Sequence, residues 1–218
     1  MNLDRLTPQD ATNLRTEDRG SAMHVAGLAM LAGEPLLDAH GGLRLSDIRT
    51  HVDRRLHLMP RFRQVLHRPP AGLGSPVWVD ARHFDIRRHV RTDAVPEPGD
   101  EAALLAKIAE LNGPPLARSR PLWELRFLTG LANGRVGLLI RLHHVVADGV
   151  AALALIGPLF DASPDAPPPI PPAWTPGPVR RMRARRSSPT RSSWSAYVGG
   201  ESSRALTPVV RITGNVGY

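Results

Sequence analysis

Leu138-Leu139-Ile140-Arg141-Leu142-His143-His144-Val145-Val146-Ala147-Asp148-Gly149 reads as the end of a strand that runs into a loop. Val136, Leu138, Ile140 and Leu142 alternate with Arg135, Gly137 and Arg141, the period of an extended chain with one covered face. The run reaches two adjacent histidines and breaks at Asp148-Gly149, where a second apolar run begins. Packing alone does not call for two imidazoles at the mouth of a strand. Histidine titrates near neutrality, so it can take up and return a proton at working pH. If the strand continues through both residues, alternation sets His143 and His144 on opposite faces, which counts against one metal ion held by the pair. It favours a division in which one imidazole is fixed in the interior while the other meets a cavity. Asp148 stands just past the strand end, placed to bind Arg141 or another arginine or to cap the next helix. Gly149 permits close approach of a ligand. The alternative, from the residues alone, is a hairpin with a buried, hydrogen-bonded histidine followed by an ordinary capping aspartate.

Working outward, Trp123, Leu125 and Phe127 alternate with Glu124 and Arg126, and Asn133-Gly134 is a strong hairpin signal between this run and the histidine strand. Val150 to Leu159 reads as a helix limited by Pro158. Upstream, Asp100 to Asn112 is a helix with Leu104, Ile108 and Leu111 on one face, ended by Asn112-Gly113-Pro114-Pro115. A second helical spacing joins Leu45, Ile48, Val52, Leu56 and Met59, with Ser46 or Asp47 as the cap and Pro60 as the stop. Val25 to Leu31 is apolar and fits a buried strand or a short helix, and Pro76 to Val79 fits a short strand. Residues 1–24 are polar and irregular, with Thr7-Pro8 as a turn signal. Pro69 to Ser75 is a loop, and Phe84, Ile86 and Val90 are isolated apolar positions. His24, His51, His57, His67, His83 and His89 lie in polar surroundings and are expected at the surface.

The 218 residues suffice for one sizeable domain plus a tail. The absence of cysteine excludes disulfides, thiolate metal sites and a cysteine nucleophile. The formal net charge of +8 is concentrated late in the chain. From Pro171 onward there are eight arginines against Glu201 alone, which leaves about +1 on residues 1–170. Pro164 to Pro178 is proline-rich and expected to be extended, and the Arg/Ser-rich remainder shows no sustained periodicity. These features divide the chain into a folded unit, residues 1–162, and a tail over 163–218 expected to be disordered. The N-terminus lacks a secretory pattern, and no apolar run approaches the ~20 residues of a membrane span. A cytoplasmic location is the expectation. No Gly-x-Ser-x-Gly elbow or phosphate-cradling glycine loop is present.

His143-His144-Val145-Val146-Ala147-Asp148-Gly149 matches the His-His-x-x-x-Asp-Gly signature of chloramphenicol acetyltransferase-like, acyl-CoA-dependent acyltransferases. Within that group the chain resembles the bacterial wax ester synthase/diacylglycerol acyltransferase family. The segments that carry this are Leu6 to Ala11, Met23 to Leu28, Arg54 to Gln64, Pro76 to Asp80 and Ser119 to Glu124, the last containing Pro121-Leu122-Trp123. They follow the family's order over about residues 5–165. Members are longer, with two similar lobes around a central channel. The Asn-Asp element of the second lobe does not occur here, so the resemblance implies a single lobe, and a truncated or frame-altered product is one account of the tail.

The resemblance implies an α/β fold, a mixed sheet packed with helices. It implies transfer of a long-chain acyl group from acyl-CoA to diacylglycerol or a long-chain alcohol, with acyl-CoA as co-substrate, no bound cofactor and no metal. His144 would be the general base, His143 and Asp148 would orient the loop, Gly149 would set its geometry, and Pro121, Leu122 and Trp123 would support it. Expected partners are the two substrates, a second acyltransferase lobe, and the inner membrane face or a lipid-droplet surface; nucleic acid is not expected. The alternative is a non-catalytic module that binds acyl-CoA, a partner lobe or anionic surfaces.

Overall fold

The computed structural model describes residues 4–70, 74–147, 149–161, 163, 166–177 and 209–212. Its centre is a five-stranded mixed sheet. The strands are β1 (His24–Ala32), β4 (Val90–Ala94), β5 (Trp123–Thr129), β6 (Arg135–His143) and β7 (Val209–Ile212), in the order β4-β5-β6-β1-β7. β6 pairs antiparallel with β5 and with β1, whereas β4 runs parallel to β5 and β7 parallel to β1. The hairpin between β5 and β6 turns at Asn133 and Gly134, both with φ of 61°, the left-handed backbone that an Asn-Gly pair tolerates. A separate hairpin joins β2 (Gln64–His67) to β3 (Val77–Asp80).

Helices cover both faces of the large sheet. On one side α2 (Leu45–Arg55) and α4 (Gly149–Ile156) bring Ile48, Val52, Ala152 and Ile156 against Val25, Leu125, Phe127, Leu138 and Ile140. On the other, α3 (Glu101–Asn112) lays Leu104, Ile108 and Leu111 over Ala26, Leu28, Leu128 and Leu139. A sheet covered twice leaves little solvent for the polar positions of its strands. Glu124 and Arg141 are 3% and 2% exposed, so the alternation along β5 and β6 marks two buried faces rather than a wet one and a dry one.

Several expectations need correction. Thr7-Pro8 opens a helix, α1 (Pro8–Asp18), because Thr7 Oγ1 accepts from the Asp10 amide while the Asp10 carboxylate accepts from the Thr7 amide. Its Leu14 packs with Leu6, Trp78, Leu116, Leu122 and Val145. The cap of α2 is neither Ser46 nor Asp47; Arg44 occupies the N-cap without a side-chain hydrogen bond. Val90 is the first residue of β4, which recruits its backbone partners from β5, so the strand needed little apolar pattern of its own. β7 lies in a segment where the sequence marked no element, and it adds a fifth strand at the β1 edge by pairing Ala26–Ala29 with Val209–Ile212.

His24 and His89 are not surface residues: they are 2% and 1% exposed. His89 lies in an aromatic stack, 4.5 Å from the Trp123 ring and 5.2 Å from Phe84, and donates from Nδ1 to the Trp123 carbonyl at 2.8 Å. Burial pulls its pKa down to about 4, against a smaller upward pull from that carbonyl. The unfolded chain therefore binds a proton at higher pH than the folded one. Stability from this group is complete above pH ~6.5 and is lost as pH falls toward 4, by about 3 kcal/mol in all. Urea titrations at pH 7 and pH 4.5 are expected to show that loss, and His89→Phe to reduce it; equal pH dependence in the two proteins would refute the assignment.

Candidate active site at the end of β6

β6 ends at His143, directly opposite His24 of β1, and the chain turns at once. The Val146 amide donates to the His143 carbonyl at 2.8 Å, which makes His144 and Val145 the central residues of a turn. The strand does not continue through His144, so turn geometry rather than strand alternation separates the two imidazoles. Both backbone amides are held: His143 N–H donates to the Leu122 carbonyl at 3.1 Å, and His144 N–H to the Met23 carbonyl at 2.9 Å. The first bond ties the pair to the Pro121-Leu122-Trp123 segment. The second ties it to the turn that leads from α1 into β1.

The His143 side chain is fully buried and held at both ring nitrogens. The Val145 amide reaches Nδ1 at 3.1 Å, and an amide can only donate, so Nδ1 accepts and the ring proton sits on Nε2. Nε2 then donates to Glu17 Oε2 at 3.2 Å. Glu17 is fixed in turn by Arg118, whose Nε and Nη2 donate to the same oxygen at 2.8 and 2.6 Å. Burial raises the Glu17 carboxyl, but the Arg118 hydrogen bonds and nearby positive charge outweigh it and hold the group below its usual range. Burial likewise pulls His143 below the usual imidazole value, with Glu17 pulling the other way. At neutral pH the pair is an ionised carboxylate receiving a hydrogen bond from a neutral imidazole of one tautomer.

His144 is half-buried, and no partner for its imidazole occurs among the described residues. Of the two rings it is the one not already held by another described residue. Gly149 begins α4. Asp148 lies outside the described residues; the Arg141 guanidinium offered to it in the sequence reading donates to Glu124 Oε2 at 3.1 Å and to the Pro114 carbonyl. Leu122 and Trp123 are each 1% exposed, and Trp123 Nε1–H donates to the Phe62 carbonyl at 2.8 Å, so the segment behind the histidines is rigid. Among the described residues no three His, Asp or Glu side chains converge as a metal site. No helix among them is long and apolar enough to cross a membrane.

Glu17 and Arg118 are the residues that sequence reasoning missed. Glu17 lies on a helix read as irregular chain, 126 positions from His143. The signal available was the Thr-x-x-Asp capping pattern at Thr7, which places Glu17 on the last turn of a helix. A Glu17→Gln exchange keeps the shape but removes the charge that Arg118 and His143 Nε2–H both face. It is expected to lower turnover about tenfold and destabilise the lobe by about 1–3 kcal/mol. Steady-state kinetics beside a denaturation curve checks this; unchanged kcat would show that the contact orients nothing.

The family model described as the wax ester synthase/diacylglycerol acyltransferase catalytic domain matches residues 6–216. Among curated relatives, the probable diacylglycerol O-acyltransferase tgs3 of Mycobacterium tuberculosis is 38% identical over 151 residues, covering 69% of this chain and 54% of that protein. The probable diacylglycerol O-acyltransferase tgs1 of the same organism is 39% identical over 163 residues, covering 74% and 34% respectively. Among solved structures, the wax ester synthase/diacylglycerol acyltransferase of Marinobacter aquaeolei VT8 superposes with a TM-score of 0.59 at 29% identity, over 78% of this chain and 41% of that one. The starter condensation domain of rhizomide synthetase shares the fold at 10% identity and a TM-score of 0.56. The chain spans about a third to a half of the length of these relatives. With its family match running from Leu6 almost to the last residue, the chain belongs to the wax ester synthase/diacylglycerol acyltransferase catalytic-domain family.

Proposed function

We propose that this chain is the base-bearing lobe of an O-acyltransferase that moves a long-chain acyl group from acyl-CoA to diacylglycerol or a long-chain alcohol. The observation that carries the reading is the turn at His143-His144, where one ring is locked by Glu17 and the other has no partner among the described residues. His144 takes the proton from the acceptor hydroxyl as its oxygen attacks the thioester carbonyl. When the tetrahedral intermediate collapses, the carbon–sulfur bond breaks and the imidazolium proton goes to the departing thiolate. The products are an ester and free CoA, and no acyl-enzyme forms, which agrees with a chain lacking cysteine. His143, held by Glu17 and Val145 N–H, fixes the turn, and Pro121, Leu122 and Trp123 back it. Asp148 is proposed to hold the far side of the turn, and Gly149 to let α4 start beside it.

The shares of the relatives' length favour a second reading, in which this lobe binds acyl-CoA or a complementary lobe without turning substrate over alone. In both readings the inner membrane face or a lipid-droplet surface is where the apolar acceptor would be met. Release of CoA from a long-chain acyl-CoA in the presence of diacylglycerol or hexadecanol separates them. The chain alone is expected to give little turnover, and addition of the remaining length of a relative, expressed separately, to raise it. No CoA release under either condition would remove the catalytic reading.

A further inference from the structure

A cleft of about 400 Å³ opens where the β2–β3 hairpin meets the Ala81–His83 turn and the Ser119–Pro121 segment. Its donors are His67, Arg82, His83, Ser119 and Arg120. Arg82, His67 and His83 are exposed and have no side-chain partner among the described residues. The one carboxylate in the wall, Asp80, is already engaged, receiving hydrogen bonds from Gln64 Nε2 at 3.3 Å and from the Gly177 amide at 2.9 Å.

Arg120, in the cleft wall, belongs to a charged cluster that extends into the lobe. Glu124 receives hydrogen bonds from Arg120 at 3.1 Å, from Arg126 at 3.3 Å and from Arg141 at 3.1 Å, and Arg126 also reaches Asp93 at 3.0 Å. Three guanidiniums thus share two carboxylates. Arginine does not lose its proton in proteins, so one positive charge is uncompensated within the cluster. Of the three side chains Arg120 is the most exposed, at 28% against 12% and 3%, and it is the one that lines the cleft. The most exposed member of a cluster with surplus positive charge therefore faces the cleft and contributes a positive potential there.

We infer that this cleft binds the phosphate-bearing nucleotide end of coenzyme A, resting on the acyl-CoA reading above. Phosphate oxygens accept from planar guanidiniums and imidazole N–H groups in the manner these residues offer. The cleft is also linked to the histidine turn through the backbone. Pro121 forms part of its wall, and the next residue, Leu122, accepts the His143 amide hydrogen bond, so one rigid segment joins the anion site to the histidine turn. The pantetheine arm keeps the phosphates well away from the thioester, which requires an anion site beside the turn rather than at it.

Titration calorimetry on the 218-residue chain tests this with CoA, adenosine 3′,5′-bisphosphate, pantetheine and inorganic phosphate as separate probes. CoA and the bisphosphate are expected to compete for one site, with inorganic phosphate weaker and pantetheine weakest. Arg82→Glu, on an exposed turn, is expected to weaken CoA about tenfold or more while leaving pantetheine unchanged and the circular dichroism spectrum intact. Equal binding of CoA and pantetheine, equal displacement by inorganic phosphate, no CoA binding, or an Arg82→Glu protein that binds CoA normally would each overturn it. In the supplemented transfer assay the two readings separate. Turnover of acyl-pantetheine together with an unchanged KM for acyl-CoA in Arg82→Glu removes the cleft and keeps the acyltransferase. CoA binding weakened by Arg82→Glu, with no transfer from any donor, does the reverse.

Discussion

His144→Ala is expected to lower acyl transfer by about 10²–10⁴-fold in the supplemented assay, the range that a positioned general base contributes. The loss should fall on kcat, because the ring is proposed to act on the transferring proton and not on the bulk of either substrate. The backbone of residue 144 is fixed by its own amide to the Met23 carbonyl, and its half-buried side chain supports no other described group, so the fold should survive the exchange. His143→Ala offers the contrast. It empties a fully buried position and strands Glu17, so activity and denaturation midpoint are expected to fall together. A His144→Ala protein with more than about a tenth of normal turnover would take the base away from this residue.

Glu124→Ala is expected to cost the lobe about 3–5 kcal/mol, because it leaves Arg120, Arg126 and Arg141 facing one another with only Asp93 in reach. Arg141 is worst placed: its side chain is 3% exposed, and its Nε already lacks a partner among the described residues. Glu124→Gln keeps the volume and two acceptor lone pairs and should cost less. Replacing Glu124 and Arg141 together by leucine and methionine should recover much of the loss, since apolar isosteres of a buried ion pair are often neutral. Urea midpoints of the three variants give the order. A midpoint unchanged in Glu124→Ala would mean that the cluster contributes nothing net.

What could be read from the residues was whatever local pattern dictates. The β5–β6 hairpin followed from alternation about Asn133-Gly134, and α3 from the spacing of Leu104, Ile108 and Leu111, with Asp100 standing as its N-cap rather than its first residue. The histidine pair was conspicuous for its chemistry, and the role of the family signature was carried by resemblance. What escaped was long-range. β4 is extended because β5 offers it a parallel ladder, and His24 and His89 are buried because β1 and the Trp123 stack enclose them, neither of which alters the nearby composition. Glu124 is buried through three cationic partners 4, 2 and 17 positions away, Arg120 before β5, Arg126 on it and Arg141 on β6, a convergence that the alternation of β5 does not signal. Asp148 and most of the Arg-rich tail lie outside the described residues.

The brace between Glu17 and His143 joins positions 126 residues apart, and Arg118 reaches back 101 to the same carboxylate. Closing loops of that size is entropically slow to be rewarded, so these contacts are expected to form after the local hairpin. Until that step the histidine turn is tied to the hairpin by the His143 amide on the Leu122 carbonyl but lacks the brace on its ring. A chain arrested before α1 docks would therefore hold both histidines in order while the His143 ring still lacked its carboxylate.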